Sequence, residues 1–348
     1  MLIIPLTFVF ALGLGLYVTP LAARAAHQLG IVARGDGDLR TQAEPVPYLG
    51  GIAIYLTLLL ALAVAAHFTP QMLGLMLGTT IMLMVGLIDD FGVMTAKMKL
   101  FGQVVAGMAL IKGGVVLELG IIREVTWPDD MPLLAWGLSL LWLIGVANAV
   151  NFLDIEDGLA GGVCAAACPA LFIVAWWNGR TDVALYTAAL FGATLGFLRY
   201  NAPFPKARIY LGDAGSLFLG TALAALAMIG SYTDKNNLGA VGPVLILGVP
   251  CFEIAVTMAA RLRRGIPVWR GSPDHVVKRL QRAGLSRRAA TASMSAASLL
   301  LGGAAVIIMR LDLRSAMIAV GALALAGLVA AVLLLRVKVD WRPEDVTK

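Results

Sequence analysis

The chain has 348 residues, of which 59% are hydrophobic and only 14% charged, with a formal net charge of +6. Soluble domains are roughly a quarter charged, so there is too little polar surface here for two or three water-soluble domains. A disordered chain, a collagen and a disulfide-rich secreted module are excluded as well, which leaves a polytopic helical membrane protein.

Apolar segments fall near residues 2–22, 48–68, 71–88, 101–118, 132–150, 159–177, 183–198, 214–231, 239–260, 289–309 and 315–335. At ~20 residues per span these predict an all-α membrane protein of about eleven transmembrane helices. The runs are continuous rather than alternating, which argues against a β-barrel. The first, MLIIPLTFVFALGLGLYV, lacks a basic leader and reads as an uncleaved span rather than a signal peptide. The ninth holds Gly248-Val249-Pro250 and is expected to be broken. There is no internal repeat and no Pro/Ser-rich linker, so residues 1–348 are taken as one integral membrane domain. Its cytoplasmic loops are expected at about 23–47, 89–100, 151–158, 199–213 and 261–288. With the N-terminus outside, 21 Lys and Arg residues collect on the inner side and 6 on the outer. The positive-inside rule selects that arrangement, with an odd number of spans and a cytoplasmic C-terminus. The net charge then reads as an insertion signal and a lipid-headgroup match, and nucleic acid is not expected as a partner. Cys164, Cys168 and Cys251 sit in apolar runs without neighbouring His, which suits packing.

The acids fall at span ends on the inner side. Asp89 and Asp90 end the third span, Asp154, Glu156 and Asp157 follow the fifth, Asp213 precedes the eighth, and Glu253 follows the break in the ninth. Asp274 and His275 lie in the basic loop. Each alone has a plain structural role: an Asp pair as a helix cap, GDAGS as a glycine turn with Asp213 near an N-cap, the basic loop as a topology signal. Together on one face, oxygen ligands with few His and no Cys favour Mg²⁺ or Mn²⁺. With basic residues nearby, they suit phosphoryl transfer on an anionic substrate at the inner membrane face.

The motifs GLIDD (Gly86–Asp90) with Lys99-Leu100 and Gln103, NAVNFLDIEDGLAGG (Asn148–Gly162), LGDAGS (Leu211–Ser216) and PVPYLGG (Pro45–Gly51) occur in this order. In these the chain resembles the polyprenyl-phosphate N-acetylhexosamine-1-phosphate transferases, membrane enzymes that load the first sugar onto a lipid carrier. The match runs from about residue 45 to 286. The resemblance implies a bacterial inner-membrane enzyme with a cytoplasmic site and bound Mg²⁺ or Mn²⁺. It implies transfer of a sugar-1-phosphate, with GlcNAc-1-phosphate expected, from a UDP-N-acetylhexosamine to undecaprenyl phosphate, with UMP released. It further implies Asp213 as principal metal ligand with Asn151 beside it, Asp89 and Asp90 as base or acceptor positioner, and Lys99 on a phosphate. Asp154 and Asp157 are expected to shape the nucleotide pocket, and Asn148 and Gly212 to bind substrate. Direct attack by the lipid phosphate and a covalent aspartyl intermediate both stay open, and a homodimer is compatible with the family.

The chain departs from the family pattern in several places. Leu39, Arg40 and Gln42 stand where Arg-Lys-x-His is common, Ile155-Glu156 replaces Gly-x, and Glu253 stands where Asp is expected. The H-x-H-H loop is reduced to His275-Val276-Val277-Lys278. His275, Lys278 and Arg264 are the candidates there for sugar or diphosphate contact. Three rival readings stand against this one, of which a structural membrane subunit without catalysis is disfavoured because it leaves the aligned acids unexplained. The phospho-N-acetylmuramoyl-pentapeptide transferase branch is disfavoured by the single His and odd span count. An ion-coupled transporter is disfavoured by acids at span ends and by the lack of a repeat.

Overall fold

The structure is a computed structural model describing residues 2–33, 46–65, 68–117, 132–202, 206–265, 267 and 274–339. Its helices are α1 (Ile3–Leu29), α2 (Gly50–Ala65), α3 (Pro70–Asp90), α4 (Ala96–Lys112), α5 (Pro132–Leu153), α6 (Leu159–Trp177) and α7 (Thr181–Asn201). After these come α8 (Gly212–Ile229), a 3-10 turn (Asn237–Val241), α9 (Gly242–Ile246), α10 (Gly248–Arg263), α11 (Val276–Arg282), α12 (Arg287–Ile308) and α13 (Leu313–Arg336). A small antiparallel ribbon pairs β1 (Val32–Ala33) with β2 (Val46–Pro47), Val32 opposite Pro47.

Among the described residues, every apolar segment of the sequence overlaps a helix. Among the described residues, eight helices are long and apolar enough to cross a membrane; the 237–246 and α10 pair, bent by 72°, brings this to nine. The expected count of about eleven is met only if α2, at 16 residues, and α4, at 17, also cross. The ninth segment is broken as expected. The break falls at Leu247, just ahead of Gly248, where φ −100° and ψ 26° leave helical geometry.

The centre of the bundle is α8, buried at every position from Ala214 to Met228. A helix that is apolar all round is buried all round or faces lipid, and α8 is the first case. It packs against α2, α3, α5 and α6, and small residues let neighbouring backbones close in on it. The opposite case is α13, where Ala316 alone is buried within the chain, as expected for a helix whose apolar surface meets lipid tails. Local chemistry sets the helix starts near the site. Thr69 caps α3 ahead of Pro70, and Thr95 caps α4 by accepting from the Met98 amide. Pro45, Leu39, Arg40 and Gln42 lie outside the described residues, as do 118–131 and 268–273.

Candidate active site

Four helix ends meet at one end of the bundle: the C-termini of α3 and α5 and the N-termini of α4 and α8. Close backbone approach makes this possible. A Cβ on Gly86 would lie 2.3 Å from the Asp213 carbonyl oxygen and 2.5 Å from Ala214 Cα, so α3 can touch the first turn of α8 only because residue 86 is glycine. Gly212 turns the chain into α8 with φ +75°, a left-handed conformation glycine adopts freely. Its missing side chain also leaves room for the Asp90 carboxylate and the Tyr48 carbonyl. Gly212, expected to bind substrate, therefore shapes the site through the backbone.

At the centre stands the Lys99 ammonium. It lies 2.5 Å from Asp89 Oδ2 and 3.1 Å from Asp213 Oδ2, and donates to Asn151 Oδ1 at 3.4 Å. The Asn151 amide donates to Asp213 Oδ1 at 3.0 Å and to Ser216 Oγ at 2.9 Å, so both Asp213 oxygens are oriented by side chains from other helices. Asp90 is used differently. Its Oδ1 accepts the Asp213 amide at 2.8 Å and its Oδ2 accepts the Ala214 amide at 3.0 Å. It caps the N-terminus of α8 from a neighbouring helix, satisfying amides that have no partner within α8. Asn148 exchanges two side-chain hydrogen bonds with Gln103, at 3.0 and 3.1 Å, and ties α5 to α4 one turn before Asn151.

The oxygen set suits a hard divalent cation. Asp89 Oδ2, Asp213 Oδ2 and Asn151 Oδ1 already surround a positive charge, and with Asp90 the carboxylates outnumber the Lys99 ammonium three to one. Among the described residues there is no group of three or more His, Cys, Asp or Glu side chains arranged as a metal cage. Mg²⁺ needs none, being usually held by one or two carboxylates with waters and substrate phosphate completing its shell.

The basic loop forms a second zone beside the first, joined to it through Phe152, the residue after Asn151. The His275 ring meets Phe152 edge-on at 6.0 Å, and the Arg261 guanidinium lies 5.2 Å from the same ring centre. Nδ1 of His275 pairs with Glu253 Oε1 at 2.8 Å, and Glu253 also accepts the Val276 amide. Glu253, which replaces the expected Asp, thus orients His275. Arg264 pairs with the buried Asp274 at 2.9 Å and donates to the Val339 carbonyl. Lys278 pairs with Glu156 at 2.6 Å. Arg264 and Lys278, expected at the sugar or diphosphate, are therefore each held by a protein acid. Asp154 and Asp157 flank Glu156 on the α5–α6 turn, both half-buried. Burial raises the Asp157 carboxyl, helped by the Glu156 charge and opposed by Arg287 and Lys278. Burial also works to raise Glu156, but its bonds from Lys278, Gln281 and Arg287 win and hold it below the usual glutamate range.

Ser216 and Gln103 stand inside the motifs, but sequence reading assigned them no part. Their signal was the helical spacing that puts Ser216 one turn after Asp213, and Gln103 one turn after Lys99.

Residues 72–231 match glycosyl transferase family 4. The chain is 29% identical over 289 residues to a probable undecaprenyl-phosphate N-acetylglucosaminyl 1-phosphate transferase of Bacillus subtilis (strain 168), covering 83% of this chain and 80% of the relative. It is 24% identical over 82% of its length to the undecaprenyl-phosphate α-N-acetylglucosaminyl 1-phosphate transferase of Salmonella typhi, covering 78% of that protein. It is 35% identical to a phospho-N-acetylmuramoyl-pentapeptide-transferase of Shouchella clausii (strain KSM-K16), over 71% of this chain and 79% of the relative. The chain belongs to glycosyl transferase family 4, the polyprenyl-phosphate N-acetylhexosamine-1-phosphate transferases.

Proposed function

We propose that this protein transfers an N-acetylhexosamine-1-phosphate, with GlcNAc-1-phosphate the expected group, from a UDP-sugar to undecaprenyl phosphate, priming a cell-envelope polysaccharide. The observation that carries it is the convergence of Asp89, Lys99, Asn151 and Asp213 from four helices onto one small polar site at a bundle end. The positive-inside distribution supports a cytoplasmic-facing site in the inner membrane of a bacterium, where both phosphorylated substrates are accessible.

In this reading a lipid phosphate oxygen attacks the β-phosphorus of the nucleotide sugar. The bond from that phosphorus to the bridging oxygen breaks, and UMP leaves with the electron pair. A phosphate monoester has a second pKa near ~6, so the nucleophile is largely ionised at neutral pH. Positioning and charge neutralisation then supply most of the rate. Lys99 neutralises phosphate charge, and Asp89 holds that ammonium in place. Asp213 and Asn151 would hold Mg²⁺, which when bound offsets the charge of the diphosphate. Asp90 serves the reaction by fixing the α8 terminus that presents Asp213. His275 and Arg264 face the sugar or diphosphate, and Asp154 and Asp157 border the nucleotide pocket.

The test is UMP release by purified protein given Mg²⁺, undecaprenyl phosphate and a panel of UDP-sugars. UMP with UDP-GlcNAc, lost on chelation and restored by Mg²⁺, is the expected outcome; no UMP from any donor by folded protein overturns the proposal. The 35% identity to the Shouchella clausii relative earns UDP-MurNAc-pentapeptide its own arm. Turnover with that donor alone would favour the peptidoglycan reading.

A further inference from the structure

Glu156 is the one carboxylate of the α5–α6 turn whose side chain is 1% exposed. Three donors converge on it from two other elements. Lys278 Nζ reaches Oε2 at 2.6 Å and Gln281 Nε2 reaches Oε2 at 3.2 Å, both from α11; Arg287 Nε, at the start of α12, bonds Oε1. The cations are far less buried, Lys278 at 36% and Arg287 at 60% exposure. The acid is thus the fixed point, and the basic segment is drawn down onto it. One departure from the family motifs, Lys278 for a His, meets in this contact an acid at a position the motif leaves open, Glu156.

The contact sits between the two halves of the proposed donor site. Its turn carries Asp154 and Asp157. The segment it captures begins at His275, the residue just before α11, whose Nδ1 pairs with Glu253. A buried carboxylate with charged partners is costly to break one-sidedly, because the remaining groups stay desolvated and unpaired.

We propose that Glu156 is a positioning residue for the nucleotide sugar. It clamps α11 and the start of α12 onto the α5–α6 turn, so that His275 faces the pocket bordered by Asp154 and Asp157. It also withdraws Lys278 from phosphate binding by keeping its ammonium on a protein acid. The inference rests on the reading that this chain uses a nucleotide-sugar donor.

The experiment compares wild type, Glu156→Gln, Lys278→Met and the double variant in detergent, with two readouts. In the UMP assay, Glu156→Gln should raise KM for UDP-GlcNAc about tenfold, as expected for a lost charge-assisted hydrogen bond. The kcat and the KM for undecaprenyl phosphate should stay within about twofold. The double variant should cost less than the product of the single effects, since removing Lys278 relieves the cation that Glu156→Gln strands. Independently of turnover, trypsin should cut within residues 276–288 several-fold faster in Glu156→Gln. If that variant does not purify, Lys278→Met and Arg287→Met test the clamp from its exposed side and should raise KM likewise, with faster trypsin cleavage read at the Arg279 and Arg282 bonds that both variants keep. Unchanged KM and unchanged cleavage in an active enzyme overturn the clamp alone. A wild type inactive with every nucleotide sugar overturns the functional reading and the positioning role with it, whatever the cleavage pattern.

Discussion

Substituting Asp90 by Asn separates two roles for a carboxylate next to a reaction centre. Asp90 accepts the Asp213 and Ala214 amides, one on each oxygen, at 2.8 and 3.0 Å. Asn retains one acceptor and turns an NH₂ group toward the other amide. The loss is one charge-assisted hydrogen bond, about 1.5–3 kcal/mol, plus part of the charge attraction at a helix N-terminus, ~0.3–1 kcal/mol. If about 2 kcal/mol of this appears as misplacement of Asp213, turnover falls about 30-fold, and the protein melts at a lower temperature because the α8 cap is weakened. Asp213→Ala, which removes the proposed metal ligand, should cost at least about 1,000-fold with little change in melting. The assay is steady-state UMP release alongside thermal unfolding in detergent. Asp90→Asn with unchanged melting and no detectable turnover would refute the capping argument and return Asp90 to the reacting groups. Full activity would show that the cap does not govern Asp213.

Other consequences follow from the same geometry. Lys99→Met leaves the Asp89 and Asp213 carboxylates facing one another without their shared cation. It should cut kcat about 100-fold while lowering the Mg²⁺ concentration needed for half-maximal rate, measured by titrating the metal. Gly86→Val forces a side chain into the Asp213 backbone, 2.3 Å from where its Cβ would sit; folded yield and activity should both collapse, whereas Gly137→Ala, where a Cβ meets nothing within 4 Å, should retain both. The Glu156 contacts should also show in the pH dependence of stability. Its unfolded carboxyl titrates near 4.5 and its folded one lower. Between those values the unfolded chain binds more protons, so the contribution is fully present above about 4.5 and is lost as pH falls through the folded value. The melting difference between wild type and Glu156→Gln should therefore shrink on acidification below about pH 4.5. The groups facing Glu156 there are Lys278, Arg287 and Gln281, with Asp157 alongside.

Much of this protein was legible in one dimension. A membrane span must satisfy its own backbone and hide its polar groups from lipid, so continuous apolar runs located the long helices among the described residues, and Gly248-Val249-Pro250 marked the broken one to within a residue, while the short polar α11 inside the basic loop had no such signal. The motif order named the family and pointed to Asp89, Lys99, Asn151 and Asp213, which do come together. The division of labour among the acids was not legible. Asp89 and Asp90 are neighbours in sequence with the same chemistry, yet one faces Lys99 and the other caps α8. Successive residues on a helix point about 100° apart, and what each meets depends on which helix passes there. Lys278 and Glu156, more than a hundred residues apart in the chain, were likewise readable only as separate charges. The fold buries one against the other, and desolvation made that pairing the stable outcome.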